Sequence, residues 1–289
     1  MPVIRKLKII LEMIKFEHTI FALPFAYLGT VLGGVVVLDR FPFWSEIGWV
    51  TLAMVGARSA AMALNRLIDR HIDAKNPRTA TRAIPAGKIS VSAVWLFILV
   101  SFLLLFFAAF QLNTLAVQLL PIAVFLLVIY SYTKRFTWLC HVVLGVTLGC
   151  APLGGWIAIT GQIDAVSLLL FATVALWTAG FDIIYGCQDV EFDRREKIYS
   201  IPARFGIARA LLISKIFHVF SALGLIFLLF VTPLSGWYGI GVLIALGILY
   251  YEHKIISPND LSRLNTAFFT MNGILSTVVF VFSMLDVML

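Results

Sequence analysis

Long apolar runs separated by short polar breaks set the rhythm of this chain, and they are too continuous to be the single buried face of a soluble helix or strand. Read against turn signals, they predict nine helical spans, roughly residues 16–38, 44–65, 92–111, 115–132, 139–160, 165–187, 208–231, 235–251 and 264–286. Interfacial aromatics such as Trp44, Trp49, Trp95, Trp138, Trp237 and Tyr238 mark their ends. On one side the connections are short (39–43, 113–114, 161–164, 232–235), which makes neighbouring spans antiparallel hairpins. On the other side two are long, about 66–91 and 188–207. No linker or low-complexity stretch divides the chain, so residues 1–289 are expected to form one domain, an all-α polytopic membrane bundle.

Composition strengthens this reading. The chain is 61% hydrophobic and 13% charged, where a soluble domain carries about 25% charged residues. The apolar excess is a lipid-facing surface. The first run, from about Phe16 to Leu38, is a full span with no early small-residue cleavage site, which argues against a removable leader. Cys140, Cys150 and Cys187 have no CxxC spacing and lie in or beside apolar runs, as small core residues do. A pI near 9.5 invites a nucleic-acid reading, but the placement of charge opposes it. Of 22 Lys and Arg, Arg40 lies in a short loop and Arg58 inside a span; the others sit at the N-terminus, in alternate loops or in the first turn of a span. That asymmetry places the N-terminus and the basic loops in the cytoplasm, and an odd number of spans leaves the C-terminus outside, near Asp286. The expected location is the inner, cytoplasmic membrane of a bacterium.

Candidate chemistry gathers where two spans meet the long loops. Asn65, Asp69 and Asp73 stand at i, i+4, i+8, a spacing that aligns them on one helical face, about 6 Å apart per step. About 120 residues later the pair returns as Asp189 and Asp193. Each pair is followed by basic residues, by Ile-Pro-Ala (84–86 and 201–203) and by a glycine before the next span (Gly87, Gly206). This internal repeat implies two similar helix–loop–helix units facing one shared cavity. Rows of oxygen ligands suit Mg²⁺, which keeps some waters and shares its sphere with phosphate oxygens. Glu191 and Glu196 have no repeat partner and read as solvated charges. Of the many nearby cations the positive-inside bias explains most, Arg66, Arg70, Lys75, Arg135, Arg194 and Arg195 among them. Arg78 and Arg82, beside the first acidic pair, and Lys134 are the better phosphate-binding candidates, with Arg204 counted beside them. An arginine inside a span is a functional-site hypothesis by default, and Arg58 lies seven residues before Asn65, on nearly the same face. Its alternatives are an anion-facing role and a partner such as Glu17. Glu17 and His18 read as interfacial. Tyr185 and Asp182 stand one and two turns before Asp189, on or near its face. Phe21, Phe25, Tyr27 and Tyr130 are weak candidates for shielding a carbocation.

At these motifs the sequence resembles the UbiA superfamily of intramembrane aromatic prenyltransferases. The stretches are Arg58-Ser-Ala-Ala-Met-Ala-Leu-Asn65-Arg-Leu-Ile-Asp69-Arg-His-Ile-Asp73, then Arg78-Thr-Ala-Thr-Arg82-Ala-Ile-Pro85-Ala-Gly87. The second motif is Asp182-x-x-Tyr185-x-x-Gln188-Asp189-x-x-x-Asp193, ending in Ser200-Ile-Pro-Ala, and Tyr130 to Arg135 looks like a family loop. The resemblance is closest to the 4-hydroxybenzoate polyprenyltransferase branch, including UbiA-like members assigned to menaquinone synthesis. It implies about nine transmembrane helices around a central cavity under cytoplasmic capping loops. It further implies Mg²⁺-dependent transfer from a polyprenyl diphosphate to an aromatic acid, 4-hydroxybenzoate or a naphthoate-type acid. On that basis Asp69, Asp73, Asp189 and Asp193 are catalytic and, with Asn65, hold the metal. Arg58, Asn65, Arg78, Arg82, Tyr130, Lys134, Asp182, Tyr185 and Arg204 then contact substrates. Two departures stand out: Arg66 follows Asn65 where the family often has Asp, and Lys197 stands where a glycine is usual. The alternatives are prenylation of a haem or chlorophyll-type acceptor, and a divalent-cation transporter, whose ligands belong near the bilayer midplane. A CDP-alcohol phosphotransferase would need an Asp-x-x-Asp-Gly opening, which is absent.

Overall fold

A computed structural model describes residues 3–15 and 19–289. Glu17, His18 and the side chain of Phe21 lie outside the described residues. The described residues form helices joined by turns and loops, with one isolated bridge between Ser257 and Asp260. In chain order the helices are α1 Val3–Met13, α2 Thr19–Leu38, α3 Trp44–Ile68, α4 Arg70–Lys75, α5 Val91–Phe110, α6 Thr114–Gln118 and α7 Leu120–Thr133. They continue as α8 Cys140–Thr160, α9 Ala165–Gly186, α10 Val190–Glu196, α11 Ile201–Phe205, α12 Ile207–Val231, α13 Gly236–Lys254 and α14 Asn272–Met288. A π-helical turn, Thr266–Met271, leads into α14. Among the described residues six helices are long and apolar enough to cross a membrane: Trp44–Ile68, Val91–Phe110, Cys140–Thr160, Ala165–Glu196 (through a kink), Ile207–Val231 and Thr266–Met288.

Local chemistry sets the boundaries. Ser90 and Asn113 cap α5 and α6 by accepting from Ala93 and Ala116 backbone N–H groups, and Asp164 and Ser167 form a capping box at the start of α9. Gly161, at φ +64°, closes α8 in the left-handed conformation that a side chain resists. The run expected to be one span, 115–132, is divided at Leu119, and Pro121 then starts α7 where its missing N–H has no intrahelical partner to lose.

Lipid gives no hydrophobic drive to bring helices together, so close packing of small residues must do it. At α2 and α8 a Cβ on Gly29 would run into the Pro152 carbonyl, and one on Gly155 into the Ala26 carbonyl. Gly149 does the same for α8 and α9, where a Cβ would sit 2.7 Å from the Phe171 carbonyl oxygen. Around this three-helix layer pack Phe25, Leu28, Leu32, Trp156, Leu170, Trp177 and Tyr238. Outward faces carry exposed apolar rows, Leu96, Leu99, Leu103 and Phe107 on α5 and Leu223, Phe227 and Phe230 on α12, as a lipid-facing surface requires. The N-terminal segment does more than signal topology. Helix α1 is amphipathic, and Ile10, Met13 and Ile14 pack on Leu64, Leu67, Ile84 and Ile89.

The α2–α8 crossing yields a measurable difference between adjacent residues. Gly155→Ala is expected to destabilise the fold by about 1–3 kcal/mol, as overpacking does, whereas Gly154→Ala, whose Cβ meets nothing within 4 Å, holds or raises the melting temperature. Thermal unfolding of both variants in detergent micelles reads this directly, and equal melting temperatures would refute the tight crossing.

Candidate active site

Both acidic pairs sit at breaks in a helix. α3 ends at Ile68, Asp69 occupies the bridge region at φ −86°, ψ 0°, and α4 resumes at Arg70. In the second unit a 3₁₀ turn, Cys187–Asp189, separates α9 from α10, and Asp189 has φ −103°, ψ 6°. The expectation of an unbroken helical face is corrected at these two residues, and the reason is the same in each. The kink turns the carboxylate out of the helix stack toward the space between the units. The repeat extends to the loops. Gly87 and Gly206 both take positive φ, +67° and +82°, at the turns that return the chain to the bundle. Lys197 caps α10 at φ +56°, ψ +39°, so the position where the resembled family has glycine is a left-handed one.

Cations from neighbouring loops meet the carboxylates. Lys134 Nζ lies 2.6 Å from Asp69 Oδ2, and Asn65 Nδ2 donates to the same oxygen at 3.0 Å. Arg135 stands 3.0 Å from Asp69 Oδ1 but directs its hydrogen bonds to the Ile68 and Ser131 carbonyls, closing the ends of α3 and α7. Arg82 donates to Asp73 Oδ1 at 2.7 Å. Arg78 forks onto Asp189, 3.1 Å to Oδ1 and 2.6 Å to Oδ2, and reaches the Tyr185 hydroxyl at 3.2 Å. Burial works against the Arg78 charge, but the hydrogen bonds and charge of Asp189 outweigh it and raise its pKa. Asp193 accepts from Ser200 Oγ at 2.8 Å. Two contacts tie the units: Asn76 Nδ2 donates to Asp189 at 3.1 Å, and Lys75 pairs with Glu196 at 2.8 Å.

These groups open onto a cavity of about 800 Å³. Asn65, Asp69, Asp73, Asp189 and Asp193 line it together with Arg78, Arg82 and Lys134. Arg58, Tyr130, Asp182 and Tyr185 line it as well. Arg58 Nε is buried without a hydrogen-bond partner, Tyr130 donates to the Ala61 carbonyl at 2.9 Å, and Tyr185 stacks on Phe268 with centroids 4.1 Å apart. Phe25 also lines the cavity, whereas Tyr27 bonds Thr51 on α3 and is not among the lining residues. Arg204 is not brought to the cavity: its guanidinium stacks 5.4 Å from the Trp138 and Phe205 rings. Sequence reasoning passed over His141, Asn76, Ser200 and Phe268, and assigned Arg66 to the topology bias although it faces the cavity. His141 carried a usable signal, an ionisable side chain at the mouth of an apolar span; Ser200 stood in the quoted second motif with no role assigned to it, and Asn76 looks like any loop residue.

The donor set bears on a metal. Among the described residues no group of three His, Cys, Asp or Glu side chains is gathered closely enough to hold an ion unaided. Asp69 Oδ1, although 3.0 Å from the Arg135 guanidinium, and Asp73 Oδ2 are nevertheless buried and accept no hydrogen bond, which leaves both with acceptor capacity to spare. Hard carboxylate and carboxamide oxygens with open acceptor capacity fit Mg²⁺ that draws its remaining ligands from phosphate and water.

Comparison with known proteins identifies the family and the fold. The UbiA prenyltransferase family model matches residues 24–274. A 4-hydroxybenzoate octaprenyltransferase of Aliivibrio fischeri (strain MJ11) is 31% identical over 235 residues, covering 81% of this chain and 81% of that protein. The apo structure of a UbiA homolog from Aeropyrum pernix K1 superposes with a TM-score of 0.85 at 31% identity, over 94% of this chain and 98% of that one. A UbiA homolog from Archaeoglobus fulgidus bound to GPP and Mg²⁺ shares the fold, with a TM-score of 0.71 at 18% identity over 97% and 100% of the two chains.

The contact between the two long loops predicts a cross-link. With Cys140, Cys150 and Cys187 replaced by serine or alanine, the double variant Lys75→Cys/Glu196→Cys should be joined by a short bifunctional thiol reagent, and Lys75→Cys/Lys254→Cys should not. Mass spectrometry of the digested protein reads the outcome; no 75–196 product means the loops do not meet.

Proposed function

We propose that this chain, which belongs to the UbiA prenyltransferase family, moves a polyprenyl group from a polyprenyl diphosphate onto the ring of an aromatic acid in quinone biosynthesis. Prenyl transfer and an integral membrane location follow from the family and the apolar helices. The finer reading is that nine spans enclose the cavity, that the loops 66–91 and 188–207 cap it on the cytoplasmic side, and that the membrane is the bacterial inner membrane. The acceptor is 4-hydroxybenzoate, as in the name of the Aliivibrio relative, or a naphthoate-type acid of menaquinone synthesis. The observation that carries the reading is the polarity of the cavity: acids and cations crowd one end, while Arg58, eleven residues before Asp69 on α3, lines it with an Nε that has no hydrogen-bond partner among the described residues.

The mechanism follows from these residues. The diphosphate binds at the charged end, where Arg78, Arg82 and Lys134 exchange a carboxylate partner for a phosphate oxygen. Asn65, Asp69, Asp73, Asp189 and Asp193 are the groups that would hold Mg²⁺, which when bound offsets the charge gathering on the leaving diphosphate. The prenyl tail lies among the spans, and their apolar walls keep water from the allylic cation once the C–O bond has broken. Trp177, Phe181, Phe268 and Tyr185 form a continuous row of ring contacts along the cavity, with centroids 4.1–5.4 Å apart, and present π faces or edges to it. The acceptor enters with its carboxylate toward Arg58, deeper than the diphosphate, and its electron-rich ring attacks the cation. Acids clustered at one end of a cavity, rather than midway along it, favour this reading over ion transport.

Two sets of variants test it. Asp69→Ala, Asp73→Ala, Asp189→Ala and Asp193→Ala should each lower Mg²⁺-dependent transfer by roughly a hundredfold or more while the protein remains inserted and folded. Normal rates in these variants would remove the metal from the mechanism. Arg58→Leu should weaken acceptor use by about ten- to a hundredfold, the worth of a charged hydrogen bond, and leave diphosphate use nearly unchanged. Arg58→Lys should recover only part of that, because a point charge lacks the planar fork. A shift confined to the diphosphate constant would move Arg58 to the phosphate site.

A further inference from the structure

We infer that Asp182, held in place by His141, takes the proton that leaves the aromatic ring. The inference rests on the ring-transfer reading above and adds the group that reading lacks. Asp182 lies on α9 seven residues before Asp189, which places it about 10 Å deeper and on nearly the same helical face. Arg58 lies on α3 eleven residues before Asp69, about 16 Å deeper. An aromatic acid whose carboxylate meets Arg58 therefore sets its ring across the level of Asp182, between the deep cation and the diphosphate end.

The two members of the pair are unequally placed. The Asp182 side chain lines the cavity and is 22% exposed, whereas His141 is nearly sealed at 6%. Asp182 Oδ2 is 2.7 Å from His141 Nδ1, while His141 Nε2 is buried without a partner. With a carboxylate as acceptor, Nδ1–H is the donor of this bond, which keeps Asp182 oriented. The imidazole reaches that position because residue 186 is glycine; a Cβ there would lie 2.9 Å from His141 Cε1. Gly186 stands one turn after Asp182 on the same helix, so α9 supplies both the carboxylate and the space for the ring that holds it. Asp182 is thus the catalytic residue and His141 the positioning residue.

The step balances. The allylic C–O bond breaks and its electrons leave with the diphosphate. A ring carbon bonds to prenyl C1, and the resulting arenium ion carries the proton to be lost. Asp182 accepts that proton, the C–H electrons restore the aromatic sextet, and the carboxyl returns the proton to water as the product leaves.

A deuterium experiment tests the assignment on the full chain in membranes, with geranyl diphosphate, Mg²⁺ and 4-hydroxybenzoate, either unlabelled or deuterated at both ring positions beside the hydroxyl. The wild type should prenylate the ring with no isotope effect, since C–O cleavage commits the reaction before the proton leaves. Asp182→Asn should lose roughly a hundredfold or more in kcat, the usual worth of a general base, and should now show a primary isotope effect, with the geranyl diphosphate KM unmoved. His141→Gln and Gly186→Ala, which leave the carboxylate in place but disturb its support, should show smaller losses with the same isotope effect. They carry the test if Asp182→Asn does not fold. Slow variants without an isotope effect, or variants at wild-type rates, overturn the assignment. A wild type that prenylates neither 4-hydroxybenzoate nor a dihydroxynaphthoate supplied in its place overturns the acceptor reading itself, and the role of Asp182 falls with it.

Discussion

Charge placed at the edge of an apolar bundle must be neutralised where it stands, and that constraint organises the functional end of this molecule. Asp69 and Asp73 are almost fully buried, and isolated carboxylates there would be severely destabilising. Each is met by a cation from a different part of the chain, Lys134 and Arg135 from the end of α7 and Arg82 from the loop after α4. Arg78 does the same for Asp189 on the opposite unit. Because the Asp69 and Asp189 pairs join segments distant in sequence, while Arg82 closes its own loop back onto Asp73, satisfying the charges also fixes the geometry. The backbone adds one more tie, Tyr199 N–H to the Lys134 carbonyl at 2.8 Å. Three loops with little apolar surface of their own are thereby held over one cavity.

The bundle that carries them is held by a different force. Close helix crossings at Gly29, Gly149 and Gly155 give α2, α8 and α9 a tight layer, and α9 is the helix that bears Asp182 and Tyr185 and leads into the turn that carries Asp189. Opposite it the π-helical turn before α14 brings Phe268 onto Tyr185, with Asn272 Nδ2 bonded to the Ala267 and Phe268 carbonyls that the wider turn leaves free. Such a turn is retained where the side chains it presents matter, and here they are cavity rings.

Much of this was legible in the chain because membrane and metal chemistry both write in fixed spacings. Apolar run lengths gave the helices, and the repeated Asp-x-x-x-Asp pairs gave the two units and the shared cavity. What escaped were features decided by tertiary contact. α1 is too short and too polar to register as a span, yet it packs on α3. Arg204 shares composition and loop with true cavity residues, and only the packing of Trp138 and Phe205 separates it from them. His141 becomes meaningful only opposite Asp182, forty-one positions away. Glu252, fully buried in α13 and 3.9 Å from His218, was likewise silent, since a glutamate near the end of a span reads as interfacial. The π turn has no sequence signature at all.

The fork of Arg78 on Asp189 has one further consequence. Its two parallel N–H···O contacts are those a guanidinium makes to a phosphate, so the carboxylate is a built-in competitor for the same donors. In the proposed reaction an arriving diphosphate must displace that competitor, which weakens its apparent affinity. The same rivalry acts in the other direction after transfer, because returning to Asp189 offers the guanidinium a ready alternative to the departing anion. On the proposed reading an internal carboxylate thus shortens the residence time of inorganic diphosphate and speeds the opening of the site for the next substrate.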